Sequence, residues 1–132
     1  MHDAMTNRDV LIEQLRPELK LTGSPANPEE AFQNDTLRPI LKFQNPIIVA
    51  HFRSYLHKFQ PRFNAFNQDA QKQCIRQAVV KDVALKNDLI TFVVGLFTVD
   101  EYQYYFAHRS GLKKRMVQML ISRLQSQVER LL

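Results

Sequence analysis

Residues 89–97 read LITFVVGLF, and Thr91 is the only polar side chain among them. No other stretch of the chain is apolar all the way round, so these residues are expected to form a buried helix with the other elements packed on it. The β-branched residues would also suit a buried strand, which periodicity alone does not separate from a helix. A strand needs partners, however, and no second stretch alternates polar and apolar residues. Phe92 and Leu96 are accordingly expected deep in the core. Gly95, costly inside a helix by about 1 kcal/mol, would mark a close approach of another backbone.

Working outward from this helix, the remaining signals predict an all-α fold: a single compact bundle of five to six helices with an N-terminal arm. Three Gly and six Pro in 132 residues are too few breakers for a sandwich or barrel. On the N-terminal side, Asp82 starts the central helix, and Asn67 caps a helix reaching about Lys81 with Ala70, Cys74, Ile75, Ala78 and Val79 inward. Residues 61–66 form a turn. Before it, Asn45 and Pro46 read as a cap and first-turn proline opening a helix to Phe59, with one long helix kinked at Pro46 as the alternative. Ile48, Phe52, Tyr55, Leu56 and Phe59 make its core stripe. Thr36 would cap the preceding LRPILKFQ segment, and Pro28 opens a short helix to about Asn34.

Residues 1–27 read as an arm and linker, and 28–132 as the helical domain. Thr6 caps an arm helix over 7–16, and residues 22–28, TGSPANP, have linker composition. On the C-terminal side, Thr98 and Glu101 form a capping box, with Phe97 and Tyr102 as a hydrophobic staple. That helix runs to about His108, with Tyr102, Tyr105 and Phe106 inward and Tyr104 outward. Arg109, Ser110 and Gly111 break the chain, and the last helix continues from there with Leu112, Met116, Val117, Leu120, Leu124, Val128 and Leu131 on one face. Arg123, Gln127 and Arg130 fall outside that face.

The net charge of +5 conceals an asymmetry. Residues 1–35 hold three basic and seven acidic groups, whereas 36–81 hold eight basic groups against Asp69 alone. Within that basic middle, Arg38, Lys42, Arg53 and Lys58 are the candidate basic surface. The acidic arm is expected to pack on such a face, either its own or a neighbouring subunit's, with Leu11, Ile12 and Leu15 supplying most of the docking, because exposed charge pairs give only about 0–1 kcal/mol each. Lys113, Lys114 and Arg115, in the first turn of the last helix, are a second candidate. Together with free backbone N–H groups they would hold an anion or a partner's carboxylate.

Most catalytic signatures have no place in this chain. With Gly only at 23, 95 and 111, neither a phosphate-binding loop nor a dinucleotide turn can be written. His51 and His57 are six apart and point to different sides of a helix. Asp100 and Glu101 are explained by the cap and the helix dipole. Cys74, the lone cysteine, reads as a small core residue and excludes an internal disulfide. No cofactor or metal is implied, and the apolar run is about half of what crosses a bilayer. The cytoplasm is the expected location.

Residues 103–122 can also be laid on the DNA-binding helix-turn-helix pattern. Gly111 takes the turn, Lys113, Lys114 and Gln118 lie on the recognition helix, and Ser110 stands where an apolar residue belongs. Three stretches, TLRPILKFQN (36–45), FTVDEY (97–102) and KKRM (113–116) with ISRLQSQ (121–127) after it, resemble a small all-helical bacterial family of about 130 residues. Some of its members carry the label glyoxalase. The resemblance supplies no catalytic residues, because the metal-ligand pattern of either glyoxalase type is missing. The expected function is a non-enzymatic binding or assembly module, self-associating or joined to a protein partner. The alternative is nucleic-acid binding through the 36–81 surface or the 103–122 element. An enzyme assembled from residues distant in sequence is the third possibility.

Overall fold

The computed structural model describes residues 6–19 and 23–132, and every regular element among them is helical. Residues 1–5 and 20–22, parts of the expected arm and linker, lie outside the described residues. The arm helix α1 (Asn7–Leu15) starts as its cap dictates, the Thr6 hydroxyl accepting the Asp9 N–H at 3.1 Å. After the linker, the Asn27 side chain accepts the Glu30 N–H at 2.8 Å and opens α2 (Pro28–Phe32). A π turn (Gln33–Leu37) leads without a break into α3 (Arg38–Phe59).

Neither break expected in this region exists, because the would-be caps have other partners. The Thr36 side chain is buried and donates its hydroxyl to Glu101 Oε2 at 3.0 Å. Asn45 exchanges two amide hydrogen bonds with Gln127, at 2.9 and 2.8 Å. Pro46 therefore sits inside one long helix, where its missing N–H leaves the Lys42 carbonyl without its usual donor. Of the predicted stripe on α3, Ile48, Phe52 and Leu56 are buried, while Tyr55 is half-buried and Phe59 is exposed.

Beyond a 3₁₀ turn (Phe63–Ala65), α4 (Gln68–Lys81) and α5 (Val83–Val94) start at the caps read from the sequence. Asn67 accepts from the Ala70 N–H, and Asp82 accepts from the Leu85 N–H. On α4 the Ala70 position is exposed and Gln71 is buried in its place, donating to the Phe63 carbonyl at 3.1 Å. Helix α5 packs against α3, α4 and α7. It is not enclosed all round: Leu85, Leu89, Ile90 and Val93 are buried, but Val83, Asn87, Asp88 and Thr91 face solvent.

Phe92 and Leu96 are consequently only half-buried, a correction to their expected place in the core. Phe92 lies at the edge, its ring meeting His51 edge-on. Gly95 ends the helix and is exposed, so no second backbone crosses there. The aromatic centre of the bundle is instead Phe52, Phe63 and Phe97, each at most 2% exposed.

Helix α6 (Val99–Ala107) carries the predicted capping box in full, Thr98 accepting from the Glu101 N–H and Glu101 accepting from the Thr98 N–H. Its facing departs in part from expectation: Tyr105 is buried as read, but the other three rings are not placed as expected. Tyr102 and Phe106 are exposed, while Tyr104 stacks on Phe32 with ring centres 5.1 Å apart. Phe97 pairs with Phe32 and Tyr105, and does not staple to Tyr102. His108 alone separates α6 from α7 (Arg109–Gln125), and a 3₁₀ turn (Val128–Arg130) closes the chain against the core through Val128 and Leu131.

Among the described residues, helix α1 docks at the α5–α6 corner of its own subunit, and Leu19 beyond it borders basic side chains of α3 and α7. The carbonyls of the short connection after α5 need donors from elsewhere, and the arm supplies them. Arg8 donates to the carbonyls of Gly95 and Phe97, at 2.8 and 2.9 Å, and Arg16 donates to that of Leu96 at 2.9 Å. Asp9 accepts from the Val99 N–H at the start of α6. Of the apolar residues expected to dock the arm, Ile12 is buried but Leu11 and Leu15 are at least half exposed. The arm is thus held mainly by polar groups at the α5–α6 corner.

Glu101 joins these parts. Besides the Thr98 N–H and the Thr36 hydroxyl, it accepts both terminal nitrogens of Arg16. Burial works to raise its pKa, but the hydrogen bonds from Arg16, Thr98 and Thr36 and the Arg16 charge outweigh it and hold the carboxyl below its ordinary value. A depressed carboxyl pKa contributes stability that is complete above the unfolded value of about 4.3 and is lost as pH falls through the folded value. Glu101→Gln should therefore lower stability at neutral pH by roughly 2 kcal/mol. The variant should also flatten the acid limb of stability against pH below about 5, as read from urea unfolding across pH; an unchanged limb would assign it to other carboxylates. In the core, Phe52→Ala should cost about 3–5 kcal/mol, and Phe92→Ala less than half as much, in the same denaturant assay.

Candidate functional site

The π turn is also where the candidate site begins. It carries Gln33 and Asn34, whose side chains reach the two arginines at one end of an open groove between α3 and α7. Asn34 Oδ1 accepts from Arg38 Nε at 3.0 Å, and Gln33 Oε1 accepts from Arg115 at 2.9 Å. The groove has a volume of about 900 Å³ and collects Arg38 and Lys42 from α3 with Lys114, Arg115 and Arg123 from α7. Among the described residues no carboxylate lines it, and its apolar wall is Leu19, Leu41 and Met119. Gln127, fixed by its amide pair with Asn45, lies along the same groove.

The cations are not equivalent. Arg115 has a partner, its Nε lying 3.6 Å from Glu29 Oε2. Arg38, Lys42, Lys114 and Arg123 have no carboxylate partner among the described residues. Burial pushes the Arg123 guanidinium down from its ordinary pKa, and repulsion from Arg38 adds to this. Two guanidiniums therefore face one another across the groove with no anion of the described residues between them.

The sequence candidates divide on this geometry. Arg38 and Lys42 enter the groove as one pair, a turn apart on α3. Arg53 is exposed further along that helix, and Lys58 lies with Asp82 and Asp88 around a smaller cleft, its Nζ 5.3 Å from the centre of the Phe59 ring. The KKR cluster of α7 splits as well. Lys113 turns to a separate hollow with Val80, Lys86 and Val117, Lys114 borders both hollows, and Arg115 enters the groove. The apolar stripe of the last helix leaves Arg123 on its outer side, yet Arg123 stands eight residues after Arg115, and that spacing brings it to the same groove.

The anion expected at the start of α7 belongs to the chain itself. Gly111 lies within the first turn of α7, not in a loop, and a Cβ there would come within 3.0 Å of both Glu29 carboxylate oxygens. Glu29 thus occupies the place near the helix N-terminus where the dipole favours negative charge. The helix-turn-helix pattern over 103–122 loses its turn for the same reason, since α6 and α7 meet at His108 alone.

A second cleft, of about 820 Å³, is lined by Tyr55, Cys74, Lys81 and Asp82 among others. Burial pushes the Cys74 thiol up, away from the thiolate that a nucleophile requires. Burial also raises the Tyr55 hydroxyl, and the neighbouring Asp82 carboxylate adds to it. Among the described residues no cluster of three His, Cys, Asp or Glu side chains is placed to hold a metal ion, and no helix is long and apolar enough to cross a membrane.

Comparison with protein-family models, with curated proteins and with solved structures finds no match to this chain. The functional reading therefore rests on the groove itself.

Proposed function

We propose that the protein is a non-enzymatic binding module of the cytoplasm, and that its α3–α7 groove receives an acidic segment of a protein partner. The observation that carries this reading is the convergence of Arg38, Lys42, Lys114 and Arg123 on one groove with no lining carboxylate among the described residues. Apolar Leu41 and Met119 beside these cations suit a peptide that presents both side-chain types. Charge complementarity of this kind sets specificity and association rate. Self-association belongs to the same reading, with a second copy as one source of the acidic segment.

Nucleic acid is the second reading, favoured by the same cations. Among the described residues the groove offers no aromatic side chain on which a base could stack, and α6 and α7 are joined through His108 alone without a longer turn, so the protein partner is preferred.

Charge reversal separates the two. Arg38→Glu with Lys42→Glu replaces two exposed side chains, and thermal unfolding should be nearly unchanged. The double variant should bind poly-glutamate at least about tenfold more weakly than the unaltered protein at low salt. It should also release the protein partners that copurify with the chain from its own cells. Poly-glutamate binding that survives the reversal would remove the groove from the reading. Binding of an oligonucleotide but not of poly-glutamate, lost on reversal, would replace the protein partner by nucleic acid.

A further inference from the structure

The groove concentrates more positive charge than a single carboxylate can match. Arg38 and Arg123 approach from opposite walls, Lys42 lies one turn beyond Arg38, and none of the three has an acidic partner among the described residues. Arg38 is already oriented by Asn34 through Nε, which leaves its two terminal nitrogens for a ligand. The Arg123 guanidinium is partly buried and makes no hydrogen bond to a described residue. Ser122 adds a hydroxyl at the same end of the groove.

Such a set answers a tetrahedral dianion better than a carboxylate. A phosphoryl group on a side chain carries about −1.5 to −2 charge at pH 7 and presents three strong acceptor oxygens. Planar guanidiniums bind such oxygens in pairs, and two of them can share one phosphoryl group, whereas one carboxylate saturates a single fork. An anion lying between Arg38 and Arg123 would offset the like charge that the two bring to one groove.

We propose that the Arg38–Lys42–Arg123 end of the groove recognises a phosphoryl group carried on a phosphorylated side chain of the protein partner. This rests on the reading of the groove as a site for an acidic protein segment, and its test keeps the two apart.

The experiment uses the full chain with two otherwise identical peptides, one carrying a phosphoserine and the other a glutamate at the same position, titrated by fluorescence anisotropy at low ionic strength. The phosphopeptide should bind at least about tenfold tighter than the glutamate peptide. Arg123→Lys keeps the charge but removes the fork, and should weaken the phosphopeptide more than the glutamate peptide, erasing most of that preference. Arg38→Lys, at an exposed position, should do the same and guards against a folding defect at the partly buried Arg123. Equal affinity for the two peptides overturns the phosphoryl inference and leaves the acidic-segment reading standing. If neither peptide binds, both fall. A single-stranded oligonucleotide that binds tighter than the phosphopeptide, and is lost in the same variants, overturns the inference in favour of nucleic acid.

Discussion

The Glu101 carboxylate accepts hydrogen bonds from three parts of the chain that are far apart in sequence. It closes the cap of α6 on Thr98, holds Arg16 of the arm and receives Thr36 from the π turn. A carboxylate largely withdrawn from water stays ionised only when such donors surround it. Glu101 thus requires the arm, the cap and the π turn to be present together. The α5–α6 corner supplies the complementary requirement, because the carbonyls of Gly95, Leu96 and Phe97 in its connection take donors from Arg8 and Arg16. The arm, acidic in overall composition, is held by its two described arginines. Its net charge therefore says little about how it docks.

Local signals in the sequence carried most of the fold. The caps at Thr6, Asn67, Asp82 and Thr98 are short-range devices, and each forms as read. Where the reading departs from the structure, a long-range partner has taken over a locally plausible cap. Thr36 turns to Glu101 and Asn45 to Gln127, and α3 runs on through both positions. Facing was legible only in part. The 89–97 run looks apolar on all sides, but α5 meets its neighbours on one side and leaves Val83 and Thr91 in solvent. In α6, three tyrosines and a phenylalanine within five positions give periodicity little to discriminate, and Tyr104 is the ring that meets Phe32.

The groove was half legible. Arg38 and Lys42 were recognisable as basic residues a helical turn apart, and Lys114 and Arg115 as part of a cation run. Nothing in the sequence brings the two sets together, because α3 and α7 are joined in space by the Asn45–Gln127 pair and by the buried faces of both helices. Nor does a charge count show that Arg115 is already matched by Glu29 while Arg123 is unmatched. The difference between a compensated and an uncompensated cation is a property of tertiary structure, and it is what distinguishes a binding groove from an ordinary basic face.

The π turn at Gln33–Leu37 acts as a phase adjuster between two helices that would otherwise be one. Each residue of an α-helix advances the side chains by about 100°, so the wider turn changes the rotational offset between α2 and α3. On the near side, Glu29 and Phe32 meet α7 and α6; on the far side, Ile40, Ile48 and Phe52 enter the core. The offset is set at the point where Asn34 and Gln33 orient the groove arginines. Chain length between residues 33 and 37 is thus a geometric parameter of the molecule: one residue more or fewer would rotate α2 relative to α3 and take the Glu29 carboxylate out of register with α7.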